Sequence, residues 1–202
     1  MEILNSYTFR VTNIKVSVKL QRAVHLDFVE ERCKKISCFN VVYCSRKRNK
    51  NILTIRYNGF TFILFKSSTE DVEGAEVQQH CNITKLKSCH EAEQAIRDLQ
   101  YLIDQPPAFL NYKIDNYSCC ADIHKTINLE AFFLSQLDIS CYYNLENFPA
   151  LIVYCPNHLT SSPRQCCHIY SSGRFVFVGC NNLPEVTEFF LWVVERISPY
   201  AT

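Results

Sequence analysis

The chain has 202 residues, 48% of them hydrophobic, and a formal net charge of +1. This composition excludes an intrinsically disordered chain, and the near-zero charge argues against a protein that binds nucleic acid through a uniform basic excess. No stretch approaches the ~20 apolar residues of a membrane span, and the first residues lack the pattern of a signal peptide. We therefore expect no membrane association and a nuclear or cytosolic protein.

The twelve cysteines contain no C-x-x-C pair. Without an export signal a disulfide framework is not expected. The run Cys166-Cys167-His168 lies in a predicted strand, where neighbouring side chains point to opposite faces and rarely bind one ion. We therefore predict reduced cysteines packed as small hydrophobic side chains, with no metal site and no cofactor.

The first half begins with alternating apolar and polar residues over 7–20, which predict a half-exposed strand. Apolar residues at helical spacing predict an amphipathic helix over 26–36. After an apolar run and a basic loop, two strands are predicted at 52–57 and 60–65. They are joined by Asn58-Gly59, a dipeptide typical of two-residue hairpin turns.

Residues 67–87 are polar and acidic without a clear period, and they predict an inserted surface loop. Ser88 and Glu91 form a capping box that predicts the start of a helix. Asp104 is followed by Gln105-Pro106-Pro107. These prolines predict the end of the helix, because proline disfavours the helical conformation of the residue before it.

The second half repeats this order of elements. A strand is predicted over 109–123, and a helix over 129–137 with Asn128 as its cap. Strands follow at 148–154 and 168–179, the second interrupted by the turn Ser172-Gly173. A last helix is predicted over 185–197, after Pro184.

Corresponding positions recur in the two halves: Asn13 as Asn116, Phe39 as Phe148, and Gly59 as Gly173. We predict an α+β fold in which two pseudo-symmetric repeats form one curved antiparallel sheet, with helices on one face and the other face open. Repeat one covers 1–105, with the acidic insertion at 67–87, and repeat two covers 106–202.

Several blocks resemble the TATA-box-binding proteins over roughly residues 7–199. The similarity is strongest in FLNYKIDNYSCCADI, NFPALIVY and HIYSSGRFVFVGC of the second half. FRVTNIKVSV, FNVVY and RYNGFTFILF match more loosely in the first. The resemblance implies a saddle-shaped sheet with helices on its convex face, and a concave face that binds and bends A/T-rich double-stranded DNA through the minor groove.

The resemblance also implies roles for individual residues. Asn13 and Asn116 are expected to contact the groove, and Arg174 to meet phosphate. Phe148 and Tyr170 occupy the wedge positions of repeat two, and Phe39 and Arg56 those of repeat one. Val178 lies at the groove floor. Glu146, in the loop that the family calls the second stirrup, is expected to contact a TFIIB-like factor. The basic cluster of the corresponding first stirrup (Arg46, Lys47, Arg48) is expected to contact DNA or a protein partner.

Some positions depart from the family pattern. Arg56 cannot insert as an apolar wedge, although arginine suits a narrowed minor groove. Tyr154 and Ser45 stand where phosphate-binding arginines are usual, and Phe60 replaces a lysine. The helix that begins at Ser88 is acidic where the family has a basic helix. These departures predict weaker DNA affinity, because each phosphate contact that is lost reduces the number of counterions released on binding.

Two functions remain open from the sequence. One is a transcription initiation factor that binds promoter DNA in the nucleus and recruits a TFIIB-like factor and RNA polymerase; a cytoplasmic location would follow for a virus that replicates there. The other is a protein-interaction module of the same fold that bridges or sequesters transcription factors without specific DNA binding. An enzyme is not expected, because no catalytic triad order, phosphate loop or paired carboxylate motif is present.

Overall fold

The structure, a computed structural model, describes residues 7–20, 22–36, 43–45, 51–67, 79–104, 110–136, 138–160 and 165–202. Its elements in chain order are β1 (Thr8–Leu20), α1 (Leu26–Ile36), β2 (Tyr43–Ser45), β3 (Ile52–Tyr57), β4 (Phe60–Phe65), β5 (Gln79–Leu86), α2 (Cys89–Ile103), β6 (Leu110–Asp122), α3 (Leu129–Ser135), β7 (Cys141–Tyr142), β8 (Leu151–Tyr154), β9 (Cys166–Ile169), β10 (Arg174–Cys180) and α4 (Leu183–Ile197). The predicted α+β class with an antiparallel sheet is confirmed.

The described chain divides into two compact units. The first unit is 13–115, with strand order β2-β3-β4-β5-β1; the second is 7–12 with 116–202, with strand order β6-β10-β9-β8-β7. Residues 8–12 of β1 therefore belong to the second unit, where the Thr12 hydroxyl donates to the Ser118 carbonyl at 2.9 Å. The repeat boundary at residue 105 stays a prediction.

The loop prediction for 67–87 is wrong for residues 79–86. These residues form β5, which pairs with both β1 and β4. Cys81 and Ile83 alternate into the core, but at Lys85 the backbone φ is +72° and Leu86 is the next buried residue. The period of two is broken there, and partners distant in sequence hold the polar strand in place. Residues 68–78 lie outside the described residues.

Helix α2 begins as the capping box predicts. The Glu91 N–H donates to Ser88 Oγ at 3.1 Å, and Glu91 Oε2 accepts from the Lys87 N–H at 2.6 Å. The helix ends at Ile103, and Asp104 caps it in the left-handed conformation. The predicted cap of α3 is also confirmed, since the Ala131 N–H donates to Asn128 Oδ1 at 3.0 Å.

The core of the second unit is aromatic. Phe190 of α4 lies 5.8 Å from Phe175 and 5.9 Å from Phe177 between ring centroids, both nearly perpendicular. Phe9 and Tyr7 contact the same ring at 5.8 and 5.5 Å. Edge-to-face pairs of this kind add about 0.5–1.5 kcal/mol beyond the area that they bury. Apart from Phe62, the largest fully buried strand residues of the first unit are aliphatic, namely Ile14, Leu20, Leu53, Ile55, Leu64 and Ile83.

Five cysteines of the described residues are buried and form no disulfide: Cys33, Cys81, Cys119, Cys167 and Cys180. Burial raises the pKa of Cys81 to about 12 and that of Cys180 to about 12. These thiols are therefore protonated at neutral pH and pack as small apolar groups.

None of the helices in the described part of the chain combines the length and apolar content needed to cross a membrane. The described His, Cys, Asp and Glu residues include no group of three or more placed to hold a metal ion.

Candidate nucleic-acid interface

The strands of the second unit have one buried face and one half-exposed face. Phe177 is fully buried and lies 5.6 Å from Phe189 of α4, so the alternate residues of β10 point away from this helix. The half-exposed side chains of the other strands follow the same alternation. We call this surface the second open face; it consists of Ser118, Cys120, Ile152, Cys166, His168, Val176 and Val178.

An aromatic cluster borders the second open face. The ring of Phe148 lies 5.2 Å from that of His168 and 6.3 Å from that of Tyr170, both at steep interplanar angles. Phe148 precedes β8, which begins at Leu151 and not at the predicted residue 148. Its backbone N–H donates to the Asn144 carbonyl at 3.0 Å, which closes the turn before it. The structure thus brings both predicted wedges of repeat two together.

A tight turn presents Tyr170 and Arg174. The Tyr170 N–H donates to the Arg174 carbonyl at 2.9 Å, and the Gly173 N–H donates to the Tyr170 carbonyl at 3.0 Å. Gly173 has φ +83°, and a Cβ built on it would lie 2.1 Å from the Lys125 carbonyl oxygen. Only glycine fits this position without displacement of the backbone.

The two predicted central asparagines differ in their contacts. Asn13 Oδ1 accepts from the Lys85 N–H at 2.7 Å, which leaves its amide N–H groups as donors. Asn116 Oδ1 is buried and has no hydrogen-bond partner among the described residues. An unpaired buried acceptor costs about 1–3 kcal/mol, so Asn116 is a polar residue that the fold alone does not explain.

The first unit has a corresponding half-exposed surface. We call it the first open face; it consists of Lys15, Ser17, Lys19, Thr54, Ile63, Asn82 and Thr84. Lys15 Nζ lies 3.2 Å from Asp115 Oδ2, an ion pair that is partly exposed. Ser17 Oγ is hydrogen-bonded to Asp115 Oδ2 and lies 3.0 Å from Asn82 Oδ1. Polar contacts within the chain therefore involve Lys15, Ser17 and Asn82 of this face.

The remaining predicted site residues are more scattered. Arg56 is exposed on β3, opposite Tyr43 of β2 and Thr61 of β4. Glu146 is exposed in the turn before Phe148, and its N–H donates to Asn144 Oδ1 at 3.0 Å. Phe39 and the basic cluster Arg46, Lys47 and Arg48 lie outside the described residues.

Charge is segregated between the two kinds of secondary structure. The described strands carry seven Lys and Arg against two Asp, a net of +5, whereas the described helices carry five Lys and Arg against ten Asp and Glu, a net of −5. The strand cations are Arg10, Lys15, Lys19, Arg56, Lys85, Lys113 and Arg174. The described strands are therefore basic although the net charge of the whole chain is near zero, because the acidic helices offset them.

The sequence predicts no site role for His168, which enters there only through the disfavoured metal site with Cys166 and Cys167. The alternation of buried and half-exposed residues along β9 places it on the second open face, beside Phe148. Its Nε2 lies 3.8 Å from Cys166 Sγ. Burial lowers the pKa of His168 below its ordinary value of 6.5, and it raises the pKa of Cys166. Both groups are therefore neutral at pH 7.

Comparisons with known sequences agree on one family. The profile of "Transcription factor TFIID (or TATA-binding protein, TBP)" matches residues 111–200. "TATA box-binding protein-like 2" of Takifugu rubripes is 25% identical over 190 residues, which is 94% of this chain and 52% of that protein. The human protein of the same name is 26% identical over 160 residues, which is 79% of this chain and 41% of that protein. The chain thus spans about half or less of the length of these relatives.

A solved structure shows the same fold. Methanococcus jannaschii TBP superposes with a TM-score of 0.67 at 19% identity, covering 95% of this chain and 98% of that one. The fold is therefore the TBP-like α+β fold, as predicted. Profile, relatives and fold together support a divergent protein similar to the TATA-binding protein family.

Proposed function

We propose that this chain is a TBP-like transcription factor that binds and bends A/T-rich double-stranded DNA through the minor groove and recruits a TFIIB-like factor and RNA polymerase in the nucleus. Similarity to the family supports the general role. The observation that carries the proposal for DNA is the segregation of charge, with a net of +5 on the described strands and −5 on the described helices.

A basic sheet attracts DNA even when the whole chain is near neutral. Exposed charges farther apart than about 8 Å are largely screened at physiological salt, so a bound polyanion responds mainly to the nearest cations. Cations on the strands would replace counterions condensed on the phosphates, and this release is the main source of sequence-independent affinity. The acidic helices would at the same time repel DNA from their own side.

The second open face has the features needed to deform DNA. Phe148 and Tyr170 are half-exposed aromatic rings that support one another at the border of the face. Insertion of such rings between base steps costs a few kcal/mol of unstacking per step, which the additional contacts of bent DNA offset. Asn13 and Asn116 would donate to adenine N3 and thymine O2, the acceptors that A·T and T·A pairs share in the minor groove.

Partner contacts are proposed at both stirrups. Glu146 is exposed beside the turn that holds Phe148, where its carboxylate would meet a basic group of a TFIIB-like factor. Arg46, Lys47 and Arg48 form the corresponding basic segment of the first repeat. Opposite charges at such surfaces mainly set orientation and association rate.

A bend-sensitive titration of an A/T-rich duplex at two salt concentrations tests the proposal. We expect bending and affinity that fall with salt. Lys113→Ala, on β6, should lower the salt slope by about one unit, whereas the matched control Lys35→Ala, on α1, should leave it unchanged. Micromolar or weaker binding without sequence preference or bending would contradict the proposal.

That outcome would favour the second function, a protein-interaction module of the same fold. One observation supports this alternative: in the first unit Asp115 pairs with Lys15 and accepts from Ser17, so part of its basic surface is already neutralised. The alternative predicts binding of transcription proteins that strand substitutions such as Lys113→Ala leave intact.

A further inference from the structure

We propose that His168, supported by Cys166, forms a subsite on the second open face that accepts a hydrogen bond from the 2-amino group of guanine. This unit would then accommodate a G·C pair in its target DNA. The inference rests on the proposed binding of the minor groove. It goes beyond that function because it names a base pair that an A/T-restricted surface would exclude.

The position of His168 makes it a base-reading candidate. Its direct cross-strand neighbours are Ile152 on β8 and Val176 on β10, so its ring is a polar group between two aliphatic side chains. The Phe148 ring packs against it at 5.2 Å and holds its orientation. Any base pair seated beside Phe148 would therefore meet the imidazole.

The chemistry of the minor groove gives this imidazole a specific role. A·T and T·A pairs present only acceptors there, whereas a G·C pair adds the 2-amino donor of guanine. An aliphatic surface pressed into the groove would bury that donor without a partner. A neutral imidazole carries one donor nitrogen and one acceptor nitrogen, so it can match either kind of pair.

The surroundings keep the imidazole neutral and available. Burial lowers its pKa, and its polar contact is Cys166 Sγ, 3.8 Å from Nε2. A thiol is only a weak hydrogen-bond partner, so a base can replace it at little cost. The titratable groups that share this face or its border are Cys120, Asp122, Tyr154, Cys166, Tyr170 and Arg174.

The test compares guanine with inosine, which lacks the 2-amino group. A duplex of A·T pairs receives a single G·C or I·C pair at each position in turn, and affinity and bending are measured for each. For the wild type we expect one position, near the Phe148 end, where G·C binds within about threefold of I·C. His168→Leu should weaken binding of G·C relative to I·C at that position by about tenfold, since a good base contact contributes about 1–3 kcal/mol.

Two further variants make the result specific. His168→Gln keeps a donor and an acceptor and should retain the tolerance of G·C. His80→Leu removes an exposed histidine of β5 in the first unit and should leave the G·C to I·C ratio at the Phe148 end unchanged.

The outcomes separate this inference from the function on which it rests. Bending of the A/T duplex with the same G·C to I·C ratio in wild type and His168→Leu would overturn the guanine subsite alone. Failure to bend any duplex would overturn the proposed function and the subsite together.

Discussion

The two open faces have matching strand orders but different chemistry. In the first unit, Lys15, Ser17, Asp115 and Asn82 form a polar network on the exposed surface. In the second unit, the aliphatic Ile152, Val176 and Val178 lie on the open face beside the aromatic cluster that borders it, and the Asn116 acceptor is unpaired within the described chain. The polar groups of this network are paired with one another within the first unit, whereas the second unit retains a hydrogen-bond acceptor, Asn116 Oδ1, that has no partner among the described residues. We infer that the second unit contributes more to DNA deformation.

The glycine turns of the two units, at Gly59 and Gly173, differ in how much space surrounds the glycine. Gly59 and Gly173 have nearly equal φ values, +84° and +83°, but a Cβ on Gly59 would meet no atom within 4 Å. A Cβ on Gly173 would collide with the Lys125 backbone. The first turn therefore needs glycine only for its backbone conformation, and the second also needs the empty space.

The largest expected effect comes from alanine at these two glycines. Gly173→Ala should lower the free energy of unfolding by about 3 kcal/mol, because left-handed strain and overpacking add. Gly59→Ala is the matched control, with an expected loss of about 1 kcal/mol from strain alone. Urea denaturation measures both; equal losses would show that Lys125 moves aside without cost.

Removal of the aromatic wedge should have the next largest effect. Phe148→Ala should weaken binding to an A/T-rich duplex by about tenfold or more and reduce its bend, because the additional contacts of bent DNA, which offset a few kcal/mol of unstacking per base step, depend on the wedge. Phe28→Ala, an exposed phenylalanine of α1, is the control and should change neither quantity. Unchanged bending by the Phe148 variant would remove the proposed wedge from the second unit.

Asn116→Ala should weaken binding to A/T-rich DNA by about fivefold, because a base contact contributes on the order of 1 kcal/mol. The same change should raise the stability of the free protein, since it removes an acceptor that has no partner among the described residues. Affinity and urea melts are measured on one preparation. A variant that is less stable and binds as well as wild type would assign Asn116 to the fold.

A wedge introduced into the first unit should narrow the difference between the faces. Arg56 is exposed on β3, at the position where the resemblance places a phenylalanine. Arg56→Phe should increase the bend angle and reduce the salt dependence of affinity by about one charge. Arg97→Phe on α2 is the control for loss of charge at a helix surface. An unchanged bend would indicate that this part of the first unit does not engage DNA.

The smallest expected effect is a pH dependence of stability from His168. Its pKa lies below 6.5 in the folded protein, so the unfolded chain binds the proton more tightly. The contribution of neutral His168 to the free energy of unfolding is therefore complete above about pH 6.5. It is lost as the pH falls through the pKa that His168 has in the folded protein. Urea melts at about pH 7.5 and about pH 5.5 should show a smaller loss for His168→Leu than for wild type. An equal loss in the free energy of unfolding between the two pH values for both proteins would contradict a lowered pKa of His168.

Local sequence determined much of the secondary structure. Helix α1, strands β3 and β4 and the caps at Ser88 and Asn128 agree with prediction, because each depends on residues within a few positions of one another. The blocks that resemble the TATA-box-binding proteins predict the TBP-like fold. The same resemblance implies the roles of Asn13, Asn116, Phe148 and Tyr170, which stay predictions.

Tertiary structure decided what depends on distant partners. Strand β5 exists because β1 and β4 supply its hydrogen bonds, which no periodicity in 79–86 revealed. The need for glycine at 173 comes from Lys125, and the neutral state of His168 comes from burial beside Phe148. The basic sheet within a neutral chain has the same origin: sequence sets the number of charges, and folding sets which surface carries them.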